Sequence, residues 1–449
     1  MENHRRTLMA AEAATRAFAV TLVSVWSVVC VEPAQAAPLD QLIPNLFGGT
    51  LSTSITPQAS ADVQKVGIAS RFRGLSAALA ASRSQAPIPS ATGAFRFAWD
   101  DDLDTYVRSL QSLGPGLAER AQTLGRHVGT VSVSYTHIDF DTLEGDRLDQ
   151  LSASQPALSA AFLAQLPPGD RLRAQDAVLL TRLNFAFGYD LLFFTGAFGI
   201  TDSFDVSLSL SVNRAHMRAA AQAMILCRDP RGNLRPCEQV HPGSAPSGAF
   251  FTVNQKGAIV GGSGSVCGTD FRCAGDGFDQ SAFGTGDLFL RSKWHFYDTT
   301  YADLALVGVL TLPTGNADDF LGFHDPTFTP WFVASKTFGP VEPHLNLGYA
   351  FRSGQDVSQA QWIAGADVQA LHWLSVGGKP LDWMTLAGDF LGYHDDKRDG
   401  INDDVIQAAV GFKINPFGQF VLAGNFQFPV NRDGLRADVI YTGQVEYTF

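Results

Sequence analysis

The sequence predicts an all-β fold, a transmembrane antiparallel up-and-down β-barrel of about 12 strands. A partly helical N-terminal segment precedes it, placed below the barrel in the periplasm or inside it as a plug. Three observations carry this expectation. The chain ends on a strand pattern closed by an aromatic residue, it opens with an export signal, and its strand-like segments are joined by connectors of alternating length.

At the C-terminal end Tyr441, Gly443, Val445, Tyr447 and Phe449 alternate with Thr442, Gln444, Glu446 and Thr448. Period-two alternation is the mark of a strand with two unlike faces. A soluble sheet could show it too, but has little reason to end on an exposed Phe. A barrel whose last strand meets lipid on one face does. Such an ending also resembles the signal read by the barrel-assembly machinery, which is therefore an expected partner.

The N-terminal 36 residues read as a secretory signal peptide. Arg5, Arg6 and Arg16 precede an apolar run over 17–31, and Ala34-Gln35-Ala36 offers a small-x-small cleavage site before Ala37. The run is short for a membrane span. A lipoprotein signal using Cys30 is disfavoured because Val29 stands where a small residue is needed. No long apolar run follows Ala37, so no helical anchor is expected in the mature chain.

Composition agrees with a barrel: 45% hydrophobic residues, only 17% charged, and 43 glycines. A net charge of −12 argues against nucleic acid as a partner. Beyond Cys30 the cysteines are Cys227, Cys237, Cys267 and Cys273, an even number in an exported chain, which reads as disulfides. Three pairings are possible; the two local ones, Cys227 with Cys237 and Cys267 with Cys273, are favoured. A metal site is the rival, but the set has no CxxC pair. Neither metal nor cofactor is expected.

The chain divides into a signal (1–36), an N-terminal cap or plug (37–126) and a barrel (127–449) with a disulfide-bearing extracellular loop (222–282). In the second part Ile68, Phe72, Leu75 and Leu79 recur at helical spacing beside Lys65, Arg71 and Arg73. A short hairpin is expected from 94–99 and 105–109, and helical residues over 117–124. The inner leaflet is an alternative resting place for the basic amphipathic stretch. Barrel strands are expected at 128–143, 173–200, 204–221, 283–297, 302–312, 327–338, 342–352, 359–372, 383–394, 405–414, 419–429 and 437–449. Connectors at 201–203, 298–301, 339–341 and 415–418 are short. Those at 144–172, 222–282 and 313–326 are long, as expected for periplasmic turns and outer loops respectively. The turn at 373–382 is longer than this scheme wants.

Alternation sorts faces. Leu288, Leu290, Trp294 and Phe296 oppose Asp287, Arg291, Lys293 and His295; Leu345, Leu347, Tyr349 and Phe351 oppose His344, Asn346 and Arg352; Phe420, Leu422, Phe426 and Phe428 oppose Gln419, Asn425 and Gln427. The apolar faces should meet lipid, where a Lys or Arg at the midplane costs roughly 2–4 kcal/mol. The polar faces should line the lumen, with Asp287, Arg291, Lys293, His295, His344, Asn346, Arg352, Lys413, Gln444 and Glu446 as lumen-lining candidates.

No catalytic residue is expected. The chain has no G-x-S-x-G elbow, and the His-x-Ser-Asn-Gly signature of outer-membrane phospholipase A is absent. Carboxylate runs at 316–320 and 394–399 lack the spacing of a calcium loop and read as solvated turns.

The strings Leu310-Thr311-Leu312-Pro313-Thr314-Gly315-Asn316-Ala317-Asp318-Asp319-Phe320-Leu321-Gly322, 334–339 and Pro343-His344-Leu345-Asn346-Leu347-Gly348-Tyr349 resemble the outer-membrane barrel family associated with the meta-pathway of phenol degradation. The resemblance covers 286–449 well and the earlier strands loosely. It implies a barrel that moves hydrophobic or aromatic small molecules, and it supplies no site residues. The N-terminal segment and the cysteine loop lie outside that pattern.

The leading expectation is a passive channel in the outer membrane of a Gram-negative bacterium, with lipid and a small solute as partners. A surface binding or structural barrel is the alternative, motivated by the cysteine loop. An outer-membrane hydrolase is a more distant one.

Overall fold

Twelve antiparallel strands close on themselves in the computed structural model. The structure describes residues 113–156, 175–235, 278–354, 357–372, 383–396 and 404–449. It also describes shorter stretches at 38–40, 42, 52–56, 59–62, 75, 78–79, 82–85, 96–100, 105–109, 160–166, 168–169, 171, 237–241, 251–252, 375–376 and 379–380. The signal pattern, Cys267, Cys273, Ile68 and Phe72 lie outside the described residues.

The barrel strands are β1 (Gly129–Phe140), β2 (Ala177–Thr201), β3 (Phe204–Arg228), β4 (Phe278–Asp298), β5 (Asp303–Leu312), β6 (Thr327–Ser335), β7 (Val341–Arg352), β8 (Gln359–Gln369), β9 (Met384–Asp395), β10 (Asp404–Phe417), β11 (Phe420–Pro429) and β12 (Ile440–Thr448). Each pairs with its neighbours in sequence, and β12 pairs with β1 to close the ring. Closure matters because a bilayer offers no partner to an open edge. At the seam the backbones of Gly129 and Phe449 exchange hydrogen bonds of 2.9 and 2.8 Å. The Phe449 ring lies where a Gly129 side chain would be, 2.6 Å from the position of a Cβ.

The short turns 202–203, 299–302, 336–340 and 418–419 share one end with the seam residues and with the longer connector 370–383, and the remaining loops occupy the other end. The overlong turn resolves into a small ladder in which Ser375 pairs with Pro380 and Val376 with Lys379. Strand parity agrees with the sequence reading, and length alternation holds except at 370–383, which is longer than the opposite loops 353–358 and 396–403. Boundaries differ most at β3, which runs to Arg228 rather than 221. Cys227 therefore sits in a strand, bonded to Cys237 just beyond it. The loop expected over 222–282 shrinks to 229–277.

A tilted strand crosses a bilayer in about 9–11 residues. β2 and β3, at 25 residues each, are far longer, so their paired long-loop halves stand beyond that thickness. The outer surface marks where. On β1 the exposed Val133 and Tyr135 give way to His137 and Asp139, and on β4 the exposed Phe283 gives way to Asp279. Asp190 accepts from Tyr135 Oη at 2.6 Å and lies 2.8 Å from His137 Nδ1. Between this line and the short-turn end the outer face is a continuous apolar band, including Leu290, Leu306, Phe332, Leu347, Phe390, Val410 and Phe426. Tyr297, Tyr301, Phe338, Trp383, Phe417 and Phe449 ring its lower edge. Aromatic girdles flanking an apolar band are what a lipid-embedded barrel displays.

The inner face departs from the expectation of a polar lumen. β2 turns Phe185, Phe187, Tyr189, Leu191 and Phe193 inward, all buried, while also showing Phe194 and Phe198 to the outside. β5 contributes Ala305, Val307 and Val309 to the interior. Polar inward residues dominate on β3 and near the short-turn end. A β-bulge in β4 sets part of this pattern. Leu288 faces Leu210 and Thr285 faces Val212, so Ser211 alone opposes Gly286 and Asp287. The extra residue aims Asp287 inward with no exposed surface. Gly286 is required there, because a Cβ would lie 2.1 Å from Ser211 Oγ and Asn213 Nδ2.

Helical residues are expected over 117–124, but the stretch 113–128 contains none. It runs instead as an irregular strap across the barrel interior. Several of its amides bind the wall: Leu113 N donates to Thr385 Oγ1 (3.0 Å), Ala121 N to Ser335 Oγ (3.0 Å) and Leu124 N to Asp205 Oδ2 (2.9 Å). A helix would have consumed those donors internally, and Gly114-Pro115-Gly116 disfavours one. The expected hairpin forms, with Arg96–Asp100 paired to Thr105–Ser109. Leu75, Ala78 and Leu79 are helical and buried, in keeping with the spacing read there.

The seam yields a prediction. Gly129→Leu should collide with the Phe449 ring and the adjoining backbone, an overpacking cost of about 1–3 kcal/mol. The midpoint at which the folded band is lost on heating in semi-native electrophoresis should fall by several degrees, whereas Gly443→Ala, a site with open space, should leave it in place.

Candidate functional site

Two pieces of the N-terminal segment lie in the interior at different levels. The strap crosses near the short-turn end, where its carbonyls and charges meet the wall. Glu119 pairs with Arg291 and, at 2.8 Å, with Lys293. Lys293 Nζ also donates to Arg120 O (3.1 Å), and Lys413 Nζ to Leu113 O (3.3 Å). Gln122 Nε2 donates to Asp303 Oδ2 at 2.5 Å and Thr123 Oγ1 to Asp202 O at 2.5 Å. Asn346 completes the hold, with its amide turned so that the oxygen accepts from Glu119 N (2.7 Å) and the nitrogen donates to Glu119 O (3.0 Å).

The second piece, 82–85, lies nearer the long-loop end. Arg83 Nη1 donates to Phe320 O (3.3 Å), and its other terminal nitrogen is 3.8 Å from Asp287 Oδ2. Gln85 Nε2 donates to Leu435 O at 2.5 Å. The 313–326 loop is folded inward to meet it. Asp287 anchors that loop, accepting from Gly315 N (3.1 Å) and Phe323 N (2.8 Å), while Asn213 Nδ2 donates to Leu321 O (2.9 Å). The loop's two glycines make this possible. A Cβ on Gly315 would lie 2.6 Å from Leu321 O, and one on Gly322 2.5 Å from Asp287 Oδ1. The Leu-Pro-Thr-Gly string is therefore the start of a loop clamped onto a buried carboxylate.

Between the two pieces is a chamber of about 180 Å³. Tyr189, Leu191, Phe193, Phe289 and Trp331 are among its walls; Arg83, Phe323 and Arg352 stand on its long-loop side, and Leu117, Glu119 and Arg291 on the strap side. Trp331 fits because β7 opposes it with Gly348, where a Cβ would be 2.5 Å from the indole. A dry apolar cavity of about 150 Å³ accommodates benzene, so this chamber has room for a ring-sized solute.

The ten lumen candidates are dispersed along this interior. Arg291, Lys293, Asn346 and Lys413 meet the strap; Arg352 lines the chamber; Asp287 holds the loop. His344 lies under β7 with Nε2 2.6 Å from Asp389 Oδ1 and Nδ1 3.6 Å from Asp367 Oδ1. Both ring nitrogens thus face carboxylates rather than a hydroxyl nucleophile. Glu446 is buried and interacts electrostatically with Lys413. Gln444 is half-buried opposite Ala423. His295 is at the short-turn rim, where a ligand atom from each of His295, Asp298 and Asp303 fall within 4.8 Å of one another. Lys336 already serves those carboxylates, at 3.1 Å from Asp298 and 2.8 Å from Asp303, and the Asp303 hydrogen bond leads in holding its ammonium above the usual lysine range.

Sequence reasoning missed Arg83, Glu119 and the aromatic walls. The walls had a signal: 177–201 carries large apolar residues at both parities, which in a closed barrel means an apolar patch inside. Arg83 and Glu119 had none, because nothing local places them in a lumen built by residues far along the chain.

The closed ring, apolar band and flanking aromatics define a transmembrane β-barrel of the outer-membrane type. No protein-family model and no curated protein matches the sequence. Among solved structures, an outer-membrane channel from Pseudomonas putida F1 is similar over 73% of this chain and 98% of its own, at 10% identity and a TM-score of 0.42. The monoaromatic hydrocarbon channel CymD aligns over 72% and 88%, at 7% identity and 0.31. A Pseudomonas aeruginosa FadL homologue aligns over 72% and 90%, at 9% and 0.30. At these values the likenesses do not define the barrel; the strand register does.

Glu119→Ala would leave Arg291 and Lys293 in the interior without the carboxylate they share. Removing one partner of a buried ion pair costs about 3–5 kcal/mol, here charged against docking of the strap. Amide exchange at Ala121 and Leu124 should accelerate by at least tenfold, whereas Asn346→Ala, losing neutral hydrogen bonds of about 1 kcal/mol each, should have a smaller effect.

Proposed function

We propose that the protein is a passive channel in the outer membrane of a Gram-negative bacterium, carrying small hydrophobic or aromatic solutes, with its N-terminal segment as the gate. The aromatic-walled chamber between the strap and Arg83 carries this reading. A structural barrel has no need of a ring-sized apolar space at its centre, since packing it shut would be more stable. The short-turn end faces the periplasm and the long loops face outward. Residues 1–36 are removed on export, 37–126 are the plug, and the C-terminal strand addresses the assembly machinery. The resemblance of 310–322 and 343–349 to the phenol meta-pathway barrels fits the same solute class.

Passage requires the strap to leave the lumen, at least in part. Purified protein in liposomes should raise toluene permeation several-fold over protein-free liposomes, and Glu119→Ala should raise it further. Equal permeation with and without protein, for both forms, would remove the channel reading. The long β2–β3 hairpin, stapled by Cys227–Cys237, supports a second reading as a surface-binding barrel. It would gain if permeation is absent while trimming 229–277 abolishes binding of cells or matrix.

A further inference from the structure

The 313–326 loop is held by two parts of the N-terminal segment that are far apart in sequence. Arg83 Nη1 donates to Phe320 O, and its guanidinium carbon stands 5.2 Å from the centre of the Phe323 ring. Leu39 N donates to Asp319 Oδ1 (3.1 Å) and Asp40 N to Asp318 O (3.0 Å). Leu39 and Leu42 are buried, in the apolar cluster that also contains Phe320 and Leu321 of the loop and Phe185 and Phe187 of β2. The segment thus meets the long loops at Leu39, Asp40 and Arg83, and the short-turn end at the strap.

The tip of the loop is strained. Phe320 has a φ of 58°, a left-handed conformation that a bulky residue rarely adopts. Such a conformation costs free energy and persists only where the surroundings impose it. The wall clamps the loop at Gly315, Leu321 and Phe323 through Asp287 and Asn213, and the Phe187 ring packs on Phe320 with centroids 5.4 Å apart. Among the described residues, the polar holds on 318–320 from beyond the loop come from Leu39, Asp40 and Arg83.

Phe323 and Arg83 border the chamber on this side, so the loop and the residues that hold it form one of its walls. We propose that Leu39, Asp40 and Arg83 latch the 313–326 loop down as a lid on the long-loop side of the chamber, distinct from the strap on the other side. Withdrawal of Leu39 and Asp40 frees the tip, Phe320 returns to an ordinary backbone conformation, and the lid lifts while the strap stays docked. As a control on entry, the latch rests on the chamber being the solute path of the channel.

Chamber access in the purified protein in detergent tests the latch. Val309→Cys places a thiol in the chamber wall. Its reaction with a small methanethiosulfonate is followed against wild type, which carries the native cysteines alone. Deleting 38–42 should speed that reaction at least about tenfold, and Asp319→Ala, which removes one charge-assisted hydrogen bond, at least about threefold. Amide exchange at Ala121 in the strap should change in neither. The heat-modifiable band checks folding; the deletion decides, or Asp319→Ala if the deletion fails to fold. No acceleration in the deciding variant overturns the proposal. So does an acceleration matched by faster exchange at Ala121, because the segment would then leave as a single plug. Toluene flux through liposomes separates the latch from the channel reading. Flux in the wild type with chamber access unaffected by the deciding variant overturns the latch and spares the channel. Access controlled as expected, without flux in any form, supports the latch and counts against the channel.

Discussion

Every backbone amide that enters a bilayer must find its partner within the protein, and this constraint organises the whole molecule. It closes twelve strands into a ring through the β12–β1 seam. It then extends inward, because the buried amides of a segment packed against the inner wall also need partners. The strap cannot use helix bonds and still reach across, so the wall supplies acceptors: Thr385, Ser335 and Asp205 are acceptors first and side chains of particular strands second. The polar inner face at the short-turn end is thus a docking surface for backbone, and the apolar inner face above it is the chamber that the strap does not fill.

Glycine allows charged groups on alternate strands to meet. His344 on β7 and Asp389 on β9 bridge over β8 because Gly365 stands between them; a Cβ there would lie 2.3 Å from Asp389 Oδ1 and 2.9 Å from His344 Nε2. The same arrangement recurs on the outer face. Asp139 on β1 and His216 on β3 approach to 3.2 Å across Gly188 of β2. One pair ties the interior and the other ties the part of the sheet above the apolar band. Both lock three strands with one missing side chain, and substitution of either glycine would strike two ionic groups at once.

The barrel itself was legible in the chain because period-two alternation and connector length are local signals repeated along it, and terminal chemistry is local too. Outward residues such as Leu345, Leu347 and Phe351 could be assigned from parity alone. The interior was legible only in part. Arg291, Lys293 and Asn346 could be placed inside, but their common partner, Glu119, lies in a stretch whose composition suggested a helix. Asp287 could be assigned to the lumen, yet not to its task, since the bulge at Gly286 and the inward fold of 313–326 depend on contacts between distant segments. On β2 the parity rule weakened because both faces are apolar for different reasons, lipid outside and chamber inside.

The strap ends in a seam of its own. His127 N donates to Gly199 O, Gly199 N donates to Val128 O, and Gly125 packs so closely that a Cβ on Gly199 would lie 1.9 Å from its carbonyl oxygen. Its last residues continue the β1–β2 ladder beyond the Gly129–Phe198 pair, so the strap is fixed to the wall where the chain enters β1. Any departure from the lumen therefore begins at the far end and swings about that stitch. Re-entry is then an intramolecular event, set by a high effective concentration rather than by how much protein is present. The dwell time of an open state would be a property of the single molecule, the same in a crowded membrane as in a sparse one.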